Sequence, residues 1–197
     1  MKLDLAIHKR LRIATSVLLM VVGVLAVSAA AIIFVTDMNL KAGTAEVARQ
    51  NQVSNLRVAA TLFTKAVPGS AVTWSENNEV ESITAWSIPE FNNHNMIDQI
   101  TQVTGETATV FAFDAESQDF WRMTTNIIKP DGERAVGTNL GEASAAYPVV
   151  MAGETFLGEA DILGIPYYTA YQPITNSAGE TIGILYVGVE KSKIVAT

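Results

Sequence analysis

The sequence contains no cysteine and only two histidines among its 197 residues. The first absence excludes structural disulfides, thiolate zinc sites and cysteine catalysis. It leaves the compartment open, since many exported domains also lack cysteine. The second absence leaves little for acid–base chemistry. His8 and His94 stand on opposite sides of a long apolar segment. No HExxH, Walker or dinucleotide fingerprint occurs. A Ser–His–Asp triad would have to use His94, and nothing in "NNHNM" marks it for that role. Paired acids such as Asp114 and Glu116, or Glu159 and Asp161, suit solvated turns better than a cation site. The chain therefore reads as a non-enzyme, and no residue set points to a cofactor or a metal. Positive charge is scarce beyond the N-terminus. The formal net charge is −7, residues 1–12 contribute +3, and the remainder therefore carries −10. Such a body repels phosphate backbones, which argues against nucleic acid as a partner.

Long apolar runs are also few. "IATSVLLMVVGVLAVSAAAIIFV", residues 13–35, is 23 residues without a charge. A helix needs roughly 20 residues to cross a bilayer core. Lys2, Lys9, Arg10 and Arg12 precede the run and Asp37 follows it. The positive-inside bias then places the N-terminus in the cytoplasm, the segment in the inner (cytoplasmic) membrane, and the rest in the periplasm or outside the cell. A cleavable signal peptide is the competing reading, with an apolar core at 17–27 and small residues at 28–30. The run continues to Val35, past that cleavage point, which weighs for an uncleaved anchor. Later apolar runs such as "IGILYVGV" are strand-sized.

What remains reads as α+β. Residues 37–67 form one long helix with Leu40, Val47, Leu56, Ala60, Phe63 and Val67 on one stripe, ended by Pro68-Gly69. The stripe suits packing on a partner helix, on the helix's own domain, or on both. Strand-like runs follow at 72–76 and 80–87, and a second helix at 89–105 ends at Gly105. Residues 106–114, 119–128, 155–164, 165–174 and 180–190 read as strands, with a short helical connector at 142–153. Short connections between these five predict an antiparallel sheet. Domain by domain, this gives a cytoplasmic N-terminus at 1–12, an anchor at 13–35, a membrane-proximal helix at 37–67, a globular part at 68–190 and a tail at 191–197.

One stretch breaks the acidic pattern. "WRMTTNIIKPDGERAVGTNLG", residues 121–141, gathers cations and hydroxyls. Strict alternation would put Phe120, Arg122, Thr124, Asn126 and Ile128 on one face, and Trp121, Met123, Thr125 and Ile127 on the other. A guanidinium offers a planar donor fork to a carboxylate. Thr and Asn can complete the hydrogen bonds of a desolvated polar ligand. Tyr167, Tyr168 and Tyr171 can supply walls with polar tips. The alternative leaves Arg122 in solvent or paired with Glu159 or Asp161.

Four segments in order carry a resemblance: "HNMIDQITQVTGETATVFAFD", "RMTTNIIKPDGERAVGTNLG", "GETFLGEADILGIPYYTAYQPI" and "GETIGILYVGV". With the long helix before them, they resemble single-Cache sensor domains of bacterial methyl-accepting chemotaxis receptors. The resemblance implies a PAS-like five-stranded antiparallel sheet with flanking helices and an extracytoplasmic pocket for a small molecule. It also implies a homodimer through the 37–67 helix. Related dicarboxylate and citrate sensors carry Arg-x-x-His where this chain has Arg122 to Thr125, so the arginine matches and the histidine does not. A basic residue expected two before an aromatic is replaced by Thr169, before Tyr171. The implied ligand is thus less charged than citrate: a monocarboxylate, an amino acid or another small polar metabolite. The expected ligand-binding residues are Arg122, Thr124, Thr125, Asn126, Lys129, Tyr168, Thr169 and Tyr171, Lys129 serving as a second cation if the strand bends there. Receptors of this kind continue into a second membrane helix and a signalling coil, which would begin soon after "VGVEKSKIVAT". The expected whole is the front of a receptor or a truncated product. Sensors on a histidine kinase or a cyclic-dinucleotide enzyme, and a stand-alone anchored binding protein, are the alternatives.

Overall fold

The computed structural model describes residues 2–194, with side chains for residues 18–39, 43 and 45–194. Two compact units emerge, Met1–Thr44 and Ala45–Thr197. Helix α1, Lys2–Ala66, contributes to each. In the first unit, Leu18–Asn39 has a mean hydropathy of 2.9 with none of it buried. At 22 residues it is long and apolar enough to cross a membrane. Ser28 returns its hydroxyl to the Val24 carbonyl (2.7 Å), so it adds no unsatisfied donor to that apolar surface. The side chains of Lys2, Lys9, Arg10, Arg12 and Leu40 lie outside the described residues.

The second unit holds the rest of α1 and a sheet. In chain order come β1 (Ala71–Trp74), β2 (Val80–Thr84), α2 (Asn95–Thr104), β3 (Thr107–Asp114) and β4 (Asp119–Thr125). Then follow α3 (Tyr147–Met151), β5 (Phe156–Ile162), β6 (Ile165–Thr175), β7 (Thr181–Glu190) and α4 (Lys191–Ile194). The sheet has seven strands in the order β1-β2-β6-β7-β3-β4, with β5 beside β6. The expectation of five antiparallel strands needs correction here. The 72–76 and 80–87 runs form a hairpin that joins the sheet, and β2 pairs with β6 in parallel through Ile83–Ile174 and Thr84–Thr175. The reason is length. β6 has eleven residues, β5 covers Ile165 to Tyr171, and the uncovered end of the same edge accepts β2.

The two faces of the sheet bury different side chains. Leu56, Ala59, Ala60 and Phe63 of α1, Val67 just after it, and Met96, Ile97 and Ile100 of α2 pack on Ala108, Val110, Ala170, Ile174, Leu185 and Val187. Most of the apolar stripe on α1 is therefore used by its own domain, at roughly 1.5–3 kcal/mol for each large side chain buried. Val47 is 54% exposed and lies outside that contact. The opposite face carries Phe111, Phe120, Tyr167, Tyr171, Ile184 and Tyr186, covered by Ile127, Ala135, Ala146 and Val150 of the long β4–β5 connection. Helix α2 stops at Gly105, whose φ of 75° is the left-handed C-cap that glycine adopts without strain.

Candidate ligand-binding site

Strand β4 does not alternate strictly. Val110 pairs with Thr124 while the next residue of β3, Phe111, pairs with Arg122, so Met123 is an extra residue in β4. This bulge shifts the faces. Arg122 lies on the face of Phe111, and Thr125, paired with Thr109, returns to that same face. Thr124 turns to the other, where its hydroxyl meets His94 Nδ1 at 2.8 Å. The expected grouping of Arg122 with Thr124 and Asn126 is thereby corrected.

Arg122 is only 6% exposed. Its backbone is paired on the outer side by a ribbon at 135–141: Arg122 N–H donates to the Thr138 carbonyl (2.9 Å) and Gly137 N–H donates to the Arg122 carbonyl (2.9 Å). Gly137 has a φ of 74°, which lets the ribbon turn there. The ribbon also holds the side chain. Nη1 donates to the Thr138 hydroxyl (2.6 Å) and to the Asn139 carbonyl (3.1 Å). The guanidinium carbon stands 4.9 Å from the centre of the Phe111 ring. Nε is buried without a partner. Nη2 makes no hydrogen bond either, among the described residues. One edge of the fork is thus fixed by the protein, and the Nε–Nη2 edge, the one that suits side-on pairing with a carboxylate, is free.

No carboxylate pairs with Arg122 among the described residues. The two candidates are engaged elsewhere: Glu159 with Lys191 (2.7 Å), while Asp161 accepts the Gly164 N–H (2.8 Å). Burial pulls the guanidinium below its ordinary value, opposed by Tyr171 and Tyr186, and an arginine remains charged under such a shift. Burial pushes the Tyr171 phenol up to about 12, with Arg122 opposing, and Tyr186 rises well above its usual range for the same reason. Both phenols therefore stay protonated near neutral pH and can donate. Thr107 gives its proton to the Gly188 carbonyl (2.7 Å), so the Tyr186 hydroxyl donates to the Thr107 oxygen (3.2 Å). The Tyr171 hydroxyl makes no hydrogen bond among the described residues. Its ring packs at tilted or edge-on angles against Tyr186 (4.8 Å), Phe156 (6.0 Å) and Phe111 (6.3 Å). Gly188 makes room for this cluster, since a Cβ there would lie 2.0 Å from the Tyr186 hydroxyl oxygen.

The remaining expected residues divide. Thr169 shares the Tyr171 face and donates to the Gly158 carbonyl (2.8 Å). Thr125 shares the Arg122 face, with its hydroxyl on that of Thr109 (2.7 Å). Asn126 works as a clamp: its carbonyl oxygen accepts the Ala108 N–H (2.8 Å) and its amide donates to the Thr101 hydroxyl of α2. Lys129 pairs with Asp131 (2.8 Å) in an exposed turn and does not join Arg122. Tyr168 points to the opposite face from Tyr171, with Lys191 Nζ 5.0 Å from its ring. Sequence reading missed Phe111, Thr107, Thr109, Thr138 and Tyr186. The alternation of "TATVF" and "ILYVGV" was the available signal, because it places Thr107, Thr109 and Phe111 of one strand and Tyr186 of the next on the side of Tyr171.

No curated protein and no solved structure matches the chain significantly. The profile of the Cache 3/Cache 2 fusion domain matches residues 35–197. With its α+β fold and an N-terminal helix apolar enough for a membrane, the chain belongs to the Cache 3/Cache 2 fusion domain family of extracytoplasmic, PAS-like sensors of small molecules.

Proposed function

We propose that the domain senses a small metabolite bearing one carboxylate, held on the Phe111–Tyr171 face of the sheet by the free edge of Arg122. The observation that carries this reading is a buried guanidinium with no acid beside it among the described residues and an Nε–H buried without a partner. A buried unpaired cation costs several kcal/mol, and a carboxylate ligand would supply the missing partner. Arg122 would accept the carboxylate side-on and the Tyr171 hydroxyl would serve as a further donor. Thr125 and Thr169 would line the same face. A single cation supports a monoanion over a dianion. Entry of a ligand would require the 135–141 ribbon and α3 to adjust, so binding would favour one arrangement of that cover over another. In this reading the output is a chemotaxis receptor in the cytoplasmic membrane, with α1 carrying the bias. Calorimetry of the full chain in nanodiscs against small mono- and dicarboxylates and amino acids tests it. Arg122→Ala should weaken binding by about 1.5–3 kcal/mol, roughly 10- to 150-fold. Unchanged affinity for a ligand that binds the wild type would remove Arg122 from the site.

The same reading includes a homodimer through the 37–67 helix. A groove of about 760 Å³ along α1, with Val58, Leu62, Trp74 and Val103 in its walls, supports it. Val103 is 67% exposed. The chain has no cysteine, so Thr61→Cys offers a clean cross-linking probe. Disulfide-linked dimers on oxidation are expected, and a monomer throughout would remove this part.

A further inference from the structure

A second site lies away from Arg122, where α1 meets the start of β3. Gln52 of α1 is buried to 1% exposure. Its amide nitrogen donates to Glu106 Oε2 (2.9 Å). Its carbonyl oxygen is buried with no donor at all. A buried acceptor left open is costly. Glu106, already bonded to the same amide group through Oε2, is the side chain that could satisfy it once protonated.

We propose that Gln52 and Glu106 form a proton-binding latch that joins α1 to the sheet. Protonation places a hydrogen on the second carboxyl oxygen of Glu106. That O–H then donates to Gln52 Oε1 while Gln52 Nε2 continues to donate to Oε2. Acid and amide close a ring of two parallel hydrogen bonds, and the orphaned acceptor is satisfied. Only a proton is taken from solvent, and no covalent bond changes. When Glu106 is ionised, the bond from Gln52 Nε2 to Oε2 remains and the Gln52 carbonyl oxygen is left without a donor.

The surroundings suit this role. Burial raises the Glu106 carboxyl above its ordinary value, against hydrogen bonds from Gln52 and Asn55 that lower it. α1 presents those two neutral amides. The end of α2 presents the Thr104 hydroxyl to the Glu106 N–H (3.2 Å), and Asn126 after β4 reaches only its carbonyl (3.4 Å). Of the charged groups on the packed elements, Arg49 of α1 pairs with Glu46, Asp98 of α2 with Arg134 and Glu190 of β7 with Lys193, while Arg57 of α1 is exposed in the groove that Asn55 also lines. An acid raised in the folded state contributes stability that is fully present below its unfolded value and lost as pH rises through the folded one. The latch therefore tightens on acidification, between the raised value and the ordinary ~4.3 of glutamate. An extracytoplasmic domain meets the acidity of its surroundings directly, so this site would make the family's small-molecule sensor responsive to protons as well.

The test uses the full chain in nanodiscs. The carboxyl carbon of Glu106 is followed by NMR from pH 3 to 8, together with amide exchange of α1 residues 48–59, corrected for intrinsic rates. A midpoint above ~4.3, with slower α1 exchange at pH values below it, is expected. Glu106→Gln, whose amide can donate to Gln52 Oε1 at every pH, should hold the slow exchange throughout. An ordinary midpoint overturns the proposal, as does α1 protection that ignores the titration. The wild-type titration needs no variant to fold, and neither readout depends on the Arg122 ligand.

Discussion

The two faces of the sheet are built from the same strands and to opposite ends. On the α1/α2 face, aliphatic side chains interlock, with polar pairs such as Gln52–Glu106 and Asn126–Thr101 among them. On the other, Phe111, Phe120, Tyr171 and Tyr186 share the face of a buried guanidinium whose Nε has no partner. A face optimised only for stability would not keep a charge whose Nε–H is buried without a partner. The contrast teaches that one side holds the fold together while the other retains polar capacity for something absent from the chain itself.

Substitutions can break or sharpen that contrast. The largest effect belongs to the aliphatic face. Phe63 is fully buried against it, and Phe63→Ala should cost about 3–5 kcal/mol of unfolding free energy in denaturant titration. A loss below about 1 kcal/mol would mean that α1 is not part of the core. The second test is on the aromatic face. Arg122→Met removes an unpaired desolvated charge along with two hydrogen bonds and a ring contact, effects that oppose each other. Stability without ligand should change by no more than about 1 kcal/mol, in either direction. A loss comparable to that of Phe63→Ala would make Arg122 a structural residue. The smallest effect is at Lys129, whose ion pair with Asp131 is exposed. Lys129→Ala should leave both ligand affinity and stability within about 0.5 kcal/mol. A clear loss of affinity would restore it to the site.

Much of the architecture was legible in the sequence because period and punctuation agree there. Gly105 marks the end of α2, Pro68-Gly69 the end of α1, and the five later strands lie close to their expected places. The parallel contact of β2 with β6 was not legible, since it depends on a length of edge left open by β5 rather than on any local signal. Arg122 stood out as a cation in a strand-like run. Its true neighbours did not, because one inserted residue, Met123, reassigns every face beyond it. Thr124 and Asn126 were grouped with Arg122 by strict alternation, and the bulge gives Thr125 that place instead. Tyr186 was not singled out, and only its pairing with Tyr171 sets it on the same face.

The central claim concerns the idle edge of one guanidinium, and the Nε–H of Arg122 reports on it directly. In a sample labelled at arginine, assigned through Arg122→Lys, the Arg122 Nε–H resonance is followed as small carboxylates are added to the full chain. A saturable downfield shift, at the concentration where calorimetry records binding, is the predicted result. Binding that saturates while the Arg122 Nε–H stays unmoved would contradict the account.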